Sequence, residues 1–106
     1  DIDAKVLLAK LCKNSKISFI SSCGIGNRLD PNQIKIMKLD EVKHDHLAKK
    51  YKEALINEHI TTNIRVIASN ECPKKISPVN SYMPVTAYAG LLLADYVIKD
   101  LIKWII

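Results

Sequence analysis

Two short segments of this 106-residue chain carry the residue types that do chemistry. The first is Ser21-Ser22-Cys23-Gly24-Ile25-Gly26-Asn27-Arg28-Leu29-Asp30-Pro31, which puts a thiol, two glycines, a guanidinium and a carboxylate in one breaker-rich stretch. Gly24-x-Gly26 after a strand invites comparison with a dinucleotide fingerprint, and fails it. Leu29 stands where the third glycine belongs, and Asp30-Pro31 leads into a strand rather than a helix. Without a helix N-terminus there is no cluster of amides to hold a pyrophosphate. The glycines therefore read either as a turn that lets backbone approach another element closely or as a loop lining a site. Arg28 is one of 2 arginines against 14 lysines. A guanidinium fork suits bidentate recognition of a carboxylate or phosphate, which lysine cannot copy; the alternative is an Arg28–Asp30 contact that stiffens the loop.

The second segment is His44-Asp45-His46, with His59 one helix length away. The i, i+2 spacing puts the two histidines on different sides of a helix start, so they read as surface histidines beside a cap, and no metal is assigned. Cys23 would be a reactive thiol only in a positive field that lowered its pKa. Cys12 reads as packing, and Cys72, before Pro73, as the more accessible thiol. No two cysteines form a C-x-x-C pair, so neither a disulfide framework nor a zinc site is suggested. No Ser-His-Asp or Cys-His constellation can be built from spacing, and no catalytic residue is assigned.

The elements that must position these residues follow from periodicity. Residues 4–13 give an amphipathic helix with Ala4, Val6, Leu7 and Leu11 on the apolar stripe and Asp3 as its cap. Ile17-Ser18-Phe19-Ile20 reads as a buried strand and Gln33 to Leu39 as a half-exposed one. His46 to His59 is a helix capped by Asp45, and Ile64 to Ala68 a third strand. Glu71 to Pro84 is a connection of a length that is usually functional or disordered. Val85 to Trp104 is a long helix, apolar nearly all round in Ala87–Ala94 and so expected to be buried on most faces. The order α-β-β-α-β-α predicts an α/β layer structure. So thin a sheet and so apolar a last helix call for a packing partner.

Composition sets the class. An apolar fraction of 48% with 25% charged residues fits a globular domain. The net charge of +5 permits weak, salt-sensitive attraction to phosphate backbones or anionic lipid, although the lysines are spread along the chain. The run Ala87 to Leu93 is too short to span a bilayer. With no signal-peptide pattern, the reading is a reducing, cytoplasmic compartment. The chain opens at Asp1 directly into a helical pattern, which suggests a piece of a larger fold.

Read together, five segments resemble the ThiF, MoeB and HesA group of ATP-dependent adenylating enzymes, relatives of ubiquitin-activating enzymes. They are Asp1-Ile2-Asp3-Ala4-Lys5, Leu8 to Ile17, the Ser21–Pro31 loop, Asp45-His46-Leu47-Ala48-Lys49, and Ser81-Tyr82-Met83-Pro84 leading to Ala89-Gly90-Leu91-Leu92-Leu93-Ala94. Within the group the likeness is greatest to the branch that cyclises a threonylcarbamoyl group on a tRNA adenosine. The chain departs from the group's habits at His46, at the lysines after Leu47 and at Asn80.

The resemblance implies the C-terminal part of a doubly wound, Rossmann-like sheet, with residues 1–106 lacking the glycine-rich nucleotide-binding half. It implies ATP and Mg for the intact enzyme, none bound by the fragment, and a homodimer with tRNA as partner. Asp1 and Lys5 would lie at the nucleotide edge. Cys23, Gly24, Gly26, Asn27, Arg28 and Asp30 would form an acyl-side loop, with Arg28 contacting an anion and Asp30 orienting it. Adenylation of a sulfur-carrier or ubiquitin-like protein, or a non-catalytic binding or dimerisation module, are the alternatives.

Overall fold

The computed structural model describes residues 1–75 and 78–103. Its elements run α1 (Ile2–Asn14), β1 (Ser21–Ser22), β2 (Ile34–Lys38), α2 (His46–Asn57), β3 (Arg65–Ser69) and α3 (Met83–Ile102), in the order the periodicity predicts. Single 3-10 turns precede β2 and α2. The three strands form one mixed sheet in the order β1-β3-β2, with β1 parallel and β2 antiparallel to β3.

β3 is central because its sequence suits burial on both faces. Val66 and Ala68 point into a core shared with Val6, Ala9, Tyr51 and Leu55 from α1 and α2. Ile67 points the other way, against Ile34, Val85 and Ala89. Helices thus cover both faces, α1 and α2 on one and α3 on the other. In α2 the buried residues Ala48, Tyr51 and Leu55 follow helical spacing. In β2 the register runs from Ile34 opposite Ser69 to Lys38 opposite Arg65.

Four expectations are corrected. The cap of α1 is Asp1, whose carboxylate accepts the Asp3 amide at 3.0 Å. The buried stripe of α1 is Val6 and Ala9, while Leu7 and Leu11 are 56% and 53% exposed. α1 turns toward α2 the face where small Ala9 allows close approach, and its larger leucines stay outside. Residues 17–20 form no strand: the Ile17 amide returns to the Cys12 carbonyl at 2.8 Å, closing the helix end, and laddering starts only at Ser21. β-propensity there is overridden because β1 lies at the edge of the described sheet. Finally, α3 is not enclosed. Val85 and Ala89 are buried, but Leu91, Ile98 and Leu101 are 70%, 54% and 60% exposed. The expected last helical residue Trp104, the apolar tail to Ile106, and Ile76 and Ser77 of the long connection lie outside the described residues.

In urea unfolding of the chain, Ile67→Ala, which empties the fully buried centre of the sheet, is expected to lower stability by about 3 kcal/mol. Leu91→Ala, on the exposed face of α3, should change it by less than about 0.5 kcal/mol. Equal losses would show that α3 is covered in solution.

Candidate functional site

β1 and β3 are parallel, so the loops that leave their C-terminal ends emerge at one edge of the sheet. These are the glycine loop, residues 23–30, and the long connection after Ser69. The start of α2 meets them there, and the three enclose a cleft of about 840 Å³. Open α/β sheets place their ligands at this edge.

The glycine loop is held at both ends by carboxylates. Asp45 Oδ2 accepts the Gly24 amide at 3.0 Å, while its Oδ1 accepts the Ala48 amide at 2.9 Å and caps α2. A Cβ on Gly24 would stand 3.2 Å from Asp45 Oδ1, tighter than an ordinary contact, so a larger residue would push the carboxylate by a few tenths of an ångström. At the other end Glu71 accepts the amides of Leu29 at 3.0 Å and Asp30 at 2.8 Å. Between them Asn27, at φ 58°, ties the loop to the long connection. Its amide donates to the Asn80 carbonyl at 2.8 Å, its side-chain oxygen accepts the Asn80 amide at 2.8 Å, and its carbonyl accepts the Lys74 amide at 2.7 Å. Val79 lies so close over Gly26 that a Cβ there would sit 2.5 Å from its methyl group.

Arg28 is 4% exposed. Its guanidinium donates to the Gly26 carbonyl at 3.1 Å and the His44 carbonyl at 2.6 Å, and its Nε–H has no hydrogen-bond partner among the described residues. The Arg28–Asp30 contact weighed from the sequence does not form. Asp30 instead accepts the Asn32 amide at 2.9 Å and caps the turn before β2, so it does not orient Arg28.

Lys5 Nζ donates to Ser21 Oγ at 2.8 Å and the Ser22 carbonyl at 2.7 Å, and sits 5.5 Å from the Tyr51 ring centre. That brings the N-terminal part of α1 to the end of β1, beside Cys23, whereas Asp1 serves the cap. Cys23 is buried. Burial, then the charge of Asp45, push its thiol up to about 12 against the opposing pull of Lys5 and Arg28. At neutral pH it is a packed thiol and no nucleophile. Cys72 is exposed and lines the cleft.

His44 and His46 also line it, yet among the described residues no three His, Cys, Asp or Glu side chains converge on a metal position. Of the cleft's cations, Lys52 pairs with Asp40 at 2.9 Å, holding that carboxyl below its usual range, and Lys74 lies 3.8 Å from Glu71.

Sequence reasoning had Asp45 as a cap but not as the holder of Gly24, and it missed Glu71. A cap is a local signal. The partners of Gly24 and Leu29 stand 21 and 42 residues away, where no spacing rule reaches.

No family model matches the chain. It is 30% identical over 118 aligned positions to the tRNA threonylcarbamoyladenosine dehydratase of Bacillus subtilis, covering 93% of this chain and 46% of that protein. Over 71 positions it is 30% identical to tRNA threonylcarbamoyladenosine dehydratase 1 of Saccharomyces cerevisiae, covering 67% of this chain and 17% of that one. The solved structure of the E. coli tRNA N6-threonylcarbamoyladenosine dehydratase with ATP superposes with a TM-score of 0.79 at 25% identity, over 93% of this chain and 43% of that one. Another structure of the E. coli enzyme gives 0.86 at 23%. The likeness to the ThiF and MoeB group is therefore present in sequence and in fold, and the chain spans about half the length of the B. subtilis relative and of the E. coli structures.

With a thiol reagent at pH 8, Cys72 should react within minutes and Cys23 only on unfolding. Because the folded thiol titrates far above the ordinary 9.0, its stabilising effect is complete below pH 9 and is lost as pH rises toward 12. Rapid labelling of Cys23 in the folded chain would overturn both statements.

Proposed function

We propose that this chain is the C-terminal part of an ATP-dependent adenylating enzyme that acts on tRNA, cyclising a threonylcarbamoyl group on an adenosine. The observation that carries this reading is the 30% identity to the B. subtilis dehydratase across 93% of the chain. The fold shared with the ATP-bound E. coli enzyme supports it. In the chemistry implied, a carboxylate oxygen of the acceptor attacks the α-phosphorus of ATP and pyrophosphate leaves. A nucleophile within the same acceptor group then closes the ring and expels AMP, which carries off the carboxylate oxygen.

The residues of this chain supply placement. Lys5, with Asp1 at the head of the same helix, stands at the nucleotide edge. The loop Cys23, Gly24, Gly26, Asn27, Arg28 and Asp30 forms the wall against which the acceptor's acyl group rests, its shape fixed by Asp45 and Glu71. The glycine-rich phosphate loop belongs to the other half of the protein, since Gly24-x-Gly26 leads to no helix N-terminus. The three strands then extend into a doubly wound sheet, and the exposed apolar face of α3 supports a further packing partner, as a homodimer would provide. We place the enzyme in the cytoplasm, the compartment of the tRNA it would modify. Among the described residues no helix is long and apolar enough to cross a membrane.

The test is ATP–pyrophosphate exchange with the protein that carries this chain joined to its nucleotide-binding half. Exchange that depends on tRNA bearing the threonylcarbamoyl group is the expected result, and exchange driven only by a carrier protein would replace the acceptor. The 106-residue chain alone should bind ATP no more tightly than it binds inorganic pyrophosphate, in the millimolar range by calorimetry. Micromolar binding would sink the claim that the phosphate loop lies elsewhere.

A further inference from the structure

Arg28 is a cation that the described fold buries and does not neutralise. It is 4% exposed, its partners are two neutral carbonyls, its Nε–H is unpartnered, and no described carboxylate lies within ion-pair distance. Burying an unpaired charge is costly, and such a group calls for an anion. Arg28 lines the cleft together with His46, Leu47 and Ala48, the first turn of the 12-residue helix α2. Asp45 takes the Ala48 amide. The amides of His46 and Leu47, as the first two of a helix, have no acceptor within it, and the positive end of the helix dipole adds to their pull. Lys49 and Lys75 stand exposed on the same walls. The two acids of the cleft are already engaged, Asp40 by Lys52 and Asp45 by two amides.

We infer that the cleft at the start of α2 is a phosphate-binding subsite, in which Arg28 and the α2 amides meet one phosphate group and Lys49 and Lys75 draw it in. A phosphodiester of an RNA acceptor and a pyrophosphate or nucleotide phosphate share this chemistry. Assigning it to RNA rests on the proposed acceptor, whereas the subsite itself does not.

The test titrates the isotope-labelled 106-residue chain with inorganic pyrophosphate and, separately, with an unmodified tRNA transcript, reading the backbone amide resonances of His46, Leu47 and Ala48 against those of α3. Both probes are expected to perturb the start of α2 and leave α3 unmoved. Lys49→Gln with Lys75→Gln, both surface changes, should weaken pyrophosphate about tenfold and lower the slope of log affinity against log salt for tRNA by about 1.4 to 1.8, the loss expected for two phosphate contacts. Arg28→Gln, used only if its circular dichroism matches the parent, should abolish the amide response. Tighter binding of tRNA than of pyrophosphate assigns the phosphate to the RNA backbone, and the reverse order to a nucleotide; either keeps the subsite. No response at residues 46–48 with either probe at millimolar concentration, or a response that the double variant leaves unchanged, overturns it. These outcomes do not depend on pyrophosphate exchange, so the subsite and the proposed reaction can fail separately.

Discussion

The carboxylate of Asp45 is the joint on which the cleft depends. One oxygen ends the helix α2 and the other holds the first glycine of the loop that leaves β1. A charged acceptor bonded to two backbone amides is worth more than neutral pairs of the same geometry, roughly 1.5–3 kcal/mol for each bond. Losing it would leave the loop tied to the start of α2 through the Arg28 bond to the His44 carbonyl. Because one carboxylate accepts backbone amides from both the helix start and the loop, the loop's position follows from the helix. Glu71 repeats the device at the far end. Two acids thus suspend a loop of neutral amides and leave its guanidinium facing inward.

That suspension explains why Arg28 can remain uncompensated. In most folds a buried guanidinium draws a carboxylate to itself. Here both nearby acids have been spent on amides, and Arg28 must bind carbonyls to stay in place. The same field shapes Cys23. Lys5 and Arg28 pull its pKa down, but burial and Asp45 outweigh them and the thiol stays protonated. The floor of the cleft therefore sets a guanidinium beside a thiol that stays protonated, a setting for holding a charged reactant still.

Much of this fold was legible from residue order. α2, its cap and the two-faced burial of β3 follow from periodicity, because each rests on contacts within a few residues or on the apolar run Val66-Ile67-Ala68. The misreadings share one cause. Ile17–Ile20 has strand propensity but no ladder, Leu7 and Leu11 have the right spacing but face away from α2, and α3 is apolar without being covered. In each case the local pattern was right about what the residues prefer and silent about which neighbour is present. The site was legible only as composition. That Cys23, Arg28 and Asp30 share a loop is visible in the sequence, whereas their separate duties depend on Asp45, Glu71, Asn80 and the His44 carbonyl, all distant along the chain.

The exposed apolar surface joins these observations to the proposed reaction. Leu91, Ile98 and Leu101 on α3 and Leu7, Leu8 and Leu11 on α1 stand on opposite faces of the sheet, each too apolar to be an ordinary solvated surface. β1 has a single described neighbour, and a two-residue parallel ladder is a weak edge to leave open. All three features are met at once if more sheet continues past β1 with its own helices above and below. The proposed adenylation would need the same thing, since no glycine loop among the described residues opens a helix that could present ATP to an acceptor. On the proposed reading, the open edge of β1 and the uncovered faces of α1 and α3 would be completed by one neighbour on the β1 side.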